Sequence, residues 1–344
     1  MSTLSVSKIK NSSSTIDNIT LNSDGTNSLG VLGSFNRNRL INGSMAVYQR
    51  GSVSATTSGA YTLDRWFVTP TGATVTVTQS TSTVPTGFAN SLNVSGAASV
   101  TNVSVYQRIE SVNTQDLASG VQVTVSGWIR QSTGSAVTTA TIALTTPSAA
   151  DNYASTSSAA TTYTIPSIAN ATWVQFSNTF TLTASCVNGL QVTIAIGAGL
   201  TTGSLNLTGV QLEVGSVATP FERRQYGQEL ALCQRYCYVV KGSGTYGAMT
   251  TGGYVTNAGT SARAVLPYPV IMRTSPTVTF SAAATFLVQG SSNYTVTAIA
   301  LGGSGSTPFS AVVDATISGA TSGDALIILD NNSSTAQITS SSEL

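Results

Sequence analysis

Histidine is absent from this chain of 344 residues, and that narrows its chemistry before any fold is considered. Without an imidazole there is no Ser-His-Asp or Cys-His relay, and no Ser-x-x-Lys alternative stands out. The three cysteines, Cys186, Cys233 and Cys237, form no disulfide framework. Cys233 and Cys237 lie four residues apart, but no histidine or second cysteine pair completes a metal site. They are expected to be buried thiols serving as small apolar side chains, and no metal or cofactor is expected. Paired carboxylates remain, as in glycan hydrolysis, which needs two acids ~5–10 Å apart in a groove, one with a raised pKa. Asp64, Glu110, Asp116, Glu213 and Glu222 are the acids best placed for such a task. Asp64 precedes Arg65 and Trp66, and Glu110 follows Arg108, so both read as strand-end ion pairs rather than as a catalytic couple. The rung period of a parallel β-helix is missing too. The chain is expected not to be an enzyme.

Phosphate chemistry has one formal candidate, GSGTYG at Gly242–Gly247. Strand-like Thr/Gly residues follow it instead of a helix whose N-terminus could hold a phosphate, so it reads as a flexible hinge. Binding through aromatic faces is more natural. Trp66, Trp128 and Trp173 read as core or strand-end plugs. Tyr153 in the loop DNYASTSS, with Tyr163, Tyr246 and Tyr254, is less obviously core, and these four are the candidates for glycan contact.

The surface that would carry such a site is unusual. Charged residues are 8% of the chain, against ~25% in ordinary globular proteins. Mean hydropathy is only +0.18, so Ser, Thr, Asn and Gly stand where charges usually do. With a net charge of +1 there is no field to steer nucleic acid or an acidic membrane. No apolar run reaches the ~18 residues of a bilayer span, and the N-terminus lacks a signal-peptide core.

The elements that must position these side chains are almost all strands. Val75 and Val77, Val103 and Val105, Val121, Val123 and Val125, Ile142 and Leu144, then Trp173–Leu182 and Leu190–Ile196 alternate with polar residues. Short strands between Gly/Ser/Asn/Pro loops, with no helices between them, predict an antiparallel jelly-roll-like sandwich over residues 36–224. Residues 242–344 return to the same grammar, with strands expected over Ala262–Leu266, Thr277–Phe280, Thr285–Gln289, Tyr294–Ala300, Phe309–Ile317 and Ala325–Leu329. GGSGS at Gly302–Ser306 and GATSG at Gly319–Gly323 are expected loops, and the whole is a second C-terminal β-sandwich domain. Residues 1–35 have apolar beats too sparse for a core, and read as a tail or as an arm that orders on a partner. The class is therefore all-β with one exception.

That exception lies within Leu207–Val240. Leu205 and Leu207 are out of phase with Val210, Leu212 and Val214, and Gly209 sits at the slip, which marks a β-bulge. Pro220 ends the strand. From Gln225 onward Tyr226, Leu230, Cys233 and Cys237 follow at intervals of four, three and four, one apolar seam along a short linking helix over residues 225–241. Arg223, Arg224, Glu229 and Arg235 lie off the seam. A helix this short needs a partner for its seam.

The run VQLEVGSVATPFERRQYGQELALCQRYCYVV resembles the matching segment of a family of tailed-phage virion proteins, chiefly tail fibres and related appendages. LINGSMAVYQRG at Leu40–Gly51, YTLDRW at Tyr61–Trp66 and YQRIE at Tyr106–Glu110 fit the same family in order, so the resemblance spans roughly residues 38–240. Cys237 departs from it, standing where a tyrosine is more usual. The resemblance implies a sugar-binding-like β-sandwich, a virion protein made in host cytoplasm, and residues 1–35 docking on other virion proteins. It implies a homotrimer too, for which the seam Tyr226, Leu230, Cys233 and Cys237 is the expected contact. The expected function is a tail fibre that meets the host surface, with host glycan as a partner. A capsid decoration or head fibre is the alternative, and a polysaccharide-degrading appendage a third.

Overall fold

β-branched residues alternating with Ser, Thr and Asn give each strand one face for a core and one for water. Two sandwiches result. The computed structural model describes residues 37–344 apart from 138, 167, 169, 257 and 258, and in the first 36 residues only the strands Lys8–Ile9, Ile19–Leu21 and Asn27–Leu29. Those three pair antiparallel in sequence order. The docking role expected of residues 1–35 otherwise lies outside the described residues.

In the first sandwich a six-stranded sheet runs Val174–Thr181, Gln122–Gln131, Ser204–Val214, Ser91–Ser95, Val75–Ser80, Val53–Ala55. Facing it, a seven-stranded sheet runs Asn152–Ser158, Ala140–Ala149, Leu190–Ile196, Asn102–Ile109, Phe67–Thr71, Ala60–Tyr61, with Tyr163–Ile165 also paired to Ala140–Ala149. Neighbouring strands are antiparallel throughout. Leu92, Val94, Val125, Ile129 and Leu212 of one sheet share a core with Val105, Ile142, Leu144, Val192 and Ile194 of the other. Full burial of each such side chain contributes about 1.5–3 kcal/mol.

The phase slip at Gly209 is a bulge, as its sequence implies. Gln211 faces Ser126 and Thr208 faces Trp128, so Gly209 and Val210 together oppose the single residue Gly127. Gly209 has φ +63°, and a Cβ there would stand 2.6 Å from the Phe88 ring. The bulge keeps Leu205, Leu207, Val210 and Leu212 all in the core. Asn206, Thr208, Gln211 and Glu213 consequently share the outer face, where each is nevertheless buried.

The second domain pairs Cys237–Lys241, Gln337–Ser341 and Thr277–Phe280 in one sheet. The other runs Asn293–Thr295, Phe286–Gln289, Ala325–Asp330, Gly253–Thr256, Ser261–Pro267, Ser310–Thr316, Ala298–Ser306. Ile338 and Val278 meet Phe286, Val313 and Ile328 in its core. Three expectations change. The helix is Tyr226–Gln234, and Cys237–Lys241 is a strand, so the second domain begins at Cys237 rather than at residue 242. Val239 and Val240 favour extended chain, and pairing with Gln337–Ser341 outweighs the helical spacing. Gly302–Ser306 lies inside a strand, as a register shift between Leu301 and Ser306, not in a loop. Gly242–Gly247 is no hinge: the amides of Ser243, Tyr246 and Gly247 and the Ser243 hydroxyl donate to the buried Asp330 carboxylate at 2.7–3.0 Å.

Candidate functional site

The sequence motifs that stand out along the chain meet at one place, the junction of the two sandwiches. Strand ends and turns of the first domain bring Gln49, Arg50, Tyr61, Asp64, Arg65 and Arg108 to it. The segment Ser342–Leu344 enters from the second domain, tied by Ser342 N–H to the Tyr236 carbonyl at 2.8 Å. Glu343 accepts from Arg50 at 2.9 Å and from Arg65. The Arg65 guanidinium also lies over the Tyr236 ring, 3.5 Å from its centroid. Gln49 donates to Asp64 Oδ1 at 2.7 Å and to the Cys237 carbonyl at 2.8 Å. The Leu344 carbonyl accepts from the Tyr61 hydroxyl at 2.5 Å and from Arg108 at 2.6 Å. Arg235 donates to both oxygens of Glu110 at 3.2 Å. Arg273 of the second domain donates to the Ser342 and Glu343 carbonyls at 2.7 and 3.0 Å.

Burial sets the electrostatics here. It lifts the Asp64 carboxyl above the usual carboxylate range, against Arg50 and the hydrogen bonds from Gln49. Burial, with Glu343 adding to it, pushes the Tyr61 phenol up to about 12. Tyr236 is likewise pushed up to about 12 by burial, which outweighs the nearby Arg65. The Cys233 and Cys237 thiols are raised, chiefly by burial, and are inert at neutral pH.

This junction corrects the reading of the acids and of the seam. Asp64 and Glu110 are 0% and 3% exposed; Asp64 pairs with Arg50 and Glu110 with Arg235 and Arg273, not with the neighbouring Arg65 and Arg108. Asp116 pairs with Arg39 at 2.6 Å on the surface. Glu213 accepts from Thr219 and Gln211, and Glu222 from the Asn38 amide. Nothing in these contacts brings two of the five acids together across a groove.

The seam does not exist as one stripe. Cys233 and Cys237 are fully buried within the single chain, Leu230 is half-buried, and Tyr226 is 60% exposed. The helix instead turns Glu229 inward, where it accepts from the Asn42 amide and from Arg224. A polar socket, not an apolar partner, receives this helix, which is why its apolar spacing misleads. The Asn42 side chain, in turn, donates to the Val47 and Asp64 carbonyls at 2.8 and 3.0 Å.

The four tyrosines singled out from the sequence are scattered. Tyr153 lies in a strand, not a loop, is 9% exposed, and donates to the Ile109 carbonyl at 2.7 Å beneath Arg108. It has no free face. Tyr163 is half-buried against the first core. Tyr246 and Tyr254 are 51% and 50% exposed on the second domain.

A different aromatic group forms a cleft of about 240 Å³ on the outer face of the six-stranded sheet. Gln211 and Glu213 project from that face and latch the Thr219–Glu222 stretch across it: Gln211 accepts from the Glu222 amide at 2.8 Å, and Glu213 from the Thr219 amide and hydroxyl. The latched stretch carries Phe221 and Arg223 to the lip. Phe221 meets Phe88 edge to face at 5.3 Å, and Arg223 covers Phe88 at 4.8 Å and donates to the Gly87 carbonyl. Trp128, half-buried, forms the opposite side with Ser126 and the exposed Gln175. In the sequence Trp128 reads as core or a strand-end plug, whereas its ring stands on the outer face of the sheet. Trp128 adjoins Gly127, the residue opposite the bulge, on the outward parity, and that parity is readable in the sequence. Phe88 carried no signal of its own.

No protein-family model and no curated protein matches this chain. Solved structures do. The enzymatically active domain of tailspike protein 4 of bacteriophage CBA120 aligns with TM-score 0.36 and 17% identity, over 52% of this chain and 22% of that one. TmCBM61, solved in complex with β-1,4-galactotriose, aligns with TM-score 0.31 and 14% identity, over 53% and 99%. The CBM22-1 xylan-binding domain from Paenibacillus barcinonensis gives 0.32 and 13%, over 53% and 96%.

Proposed function

We propose that this chain is a structural protein of a tailed-phage particle, a tail fibre whose N-terminal arm docks on other virion proteins and whose β-domains meet the host surface. The junction carries this reading. The stretches that resemble phage appendage proteins, at Leu40–Gly51, Tyr61–Trp66, Tyr106–Glu110 and through the helix, supply Arg50, Asp64, Arg65, Glu110 and Arg235 to one interlocked contact. Their common task is to hold two sandwiches as a stiff unit, a requirement of an appendage that transmits position. A non-catalytic role fits the engagement of Asp64 and Glu110 inside that contact. Trimer formation rests on the resemblance, and would use surfaces other than the buried Cys233 and Cys237.

Labelled antibody against the chain, applied to intact particles, is expected to mark the tail. Label over the capsid would instead make it a head fibre or decoration protein, and particles without label would remove it from the virion.

A further inference from the structure

We propose that the cleft between Trp128, Phe88 and Phe221 binds a single pyranose ring of a surface glycan. The argument begins with what its polar groups lack. The Trp128 indole N–H, the Gln175 amide and the Ser126 hydroxyl make no hydrogen bond within the described protein, although every one of them lines the same cleft. Arg223 uses Nη2 on the Gly87 carbonyl, and its Nε and Nη1 make no hydrogen bond among the described residues. Donors and acceptors in that state, converging beside aromatic rings, are the usual composition of a small-ligand site.

The ligand class follows by elimination. About 240 Å³ lies below the ~300–1,000 Å³ of sites for drug-sized molecules, which suits one sugar ring and not a long chain. The cleft lies on the face of the sheet over Gln122–Gln131, which is paired on both sides, so a peptide strand seated there finds no backbone edge; the free edge on this side of the sheet is on the far side of Val174–Thr181. Nucleic acid would need several cations, and the lining contributes Arg223 alone. A pyranose offers an apolar C–H face for the Trp128 and Phe221 rings and hydroxyls for Gln175, Ser126, the indole N–H and Arg223. The Gly209 bulge keeps the space, since a side chain there would collide with Phe88 and crowd Trp128 at 3.1 Å.

This site deepens the appendage reading: the pyranose is argued from the cleft itself, and the choice of bacterial surface glycans rests on that reading. The test is an array of bacterial surface mono- and oligosaccharides probed with the full chain, followed by calorimetric titration of the strongest hit. Trp128→Ala is expected to weaken that hit by about tenfold or more, and Gln175→Ala severalfold, with Tyr254→Ala unchanged. Gln175 is exposed, so its variant remains informative if Trp128→Ala fails to fold. No binding by the wild-type chain, or binding indifferent to both cleft variants, overturns the site. Loss in Tyr254→Ala alone moves it to the second domain. Particles that carry label but bind no saccharide remove the cleft and keep the appendage, and the converse result does the reverse.

Discussion

The junction and the cleft are both rich in aromatic and polar side chains outside the two hydrophobic cores, and they differ in how those side chains are satisfied. At the junction Gln49 spans Asp64 and the Cys237 carbonyl, and Glu343 sits between Arg50 and Arg65. In the cleft the exposed Gln175 side chain, the half-buried Trp128 indole and the buried Ser126 hydroxyl make no hydrogen bond among the described residues. A buried charge must find protein partners, because leaving it bare costs several kcal/mol, whereas a half-exposed amide can wait for water or a ligand. The same residue types therefore serve assembly in one place and recognition in the other. For Gln49 and Gln175, burial decides which.

The comparison breaks most visibly at Glu343. Glu343→Ala leaves the guanidinium groups of Arg50 and Arg65, 11% and 1% exposed, without their shared carboxylate. Breaking a buried pair from one side costs about 3–5 kcal/mol. Gln49→Ala, which takes two hydrogen bonds from the same contact, is expected to cost about 1–3 kcal/mol. Trp66, Trp128 and Trp173 all belong to the first sandwich, so tryptophan fluorescence follows that domain while far-UV circular dichroism follows both. In urea the two signals should coincide for the wild type and separate for Glu343→Ala. Coincident curves with an unchanged midpoint in that variant would show that the junction does not couple the domains.

Acid sharpens the contrast through two buried aspartates shifted in opposite directions. Asp64 is raised by burial, so its folded state holds the proton more tightly. Its contribution is fully present below the unfolded value of ~3.9 and is lost as pH rises through the folded value. At Asp330 burial acts upward too, but hydrogen bonds from Gly247, Ser243 and Ser333 prevail and lower the pKa. Its contribution is present above ~3.9 and lost as pH falls through the lowered value. Below about pH 4 the second domain should therefore weaken first. Asp330→Asn should flatten the acid limb of its urea midpoint, and a limb as steep as the wild type's would place the acid-labile group elsewhere.

Much of this was legible in the sequence. Val123, Val125 and Ile129 announce a strand by alternation, and Gly209 announces a bulge by the slip it sits on, because both signals are local. The helix was legible in kind but not in length: Cys237–Lys241 owes its strand to Gln337–Ser341, about a hundred residues away, and no local spacing encodes that partner. Asn152–Ser158 looks like a loop for the same reason, being an edge strand rich in Ser and Thr whose ladder lies on Ala140–Ala149. Glu229 faces inward because the Asn42 amide needs an acceptor, and a helical wheel ranks a glutamate as outward. The cleft was half legible. Trp128 and the Pro220–Phe221–Glu222–Arg223 run could have been joined through the Gln211 and Glu213 latch, but Phe88 enters from a loop more than a hundred residues before it.

The smallest expected effect tests the comparison from its other side. If cleft groups are unpartnered because they wait for a ligand, removing one should cost the fold almost nothing. Gln175 is exposed, lies on the edge strand Val174–Thr181, and its side-chain amide makes no hydrogen bond among the described residues. Its backbone pairing to Trp128 survives truncation of the side chain. Gln175→Ala should therefore stay within about 0.5 kcal/mol of the wild type in urea, while Gln49→Ala, the same chemical change at the junction, does not. Equal losses at Gln175 and Gln49 would mean that the cleft amide is structural, and that satisfaction inside the chain does not separate the two regions.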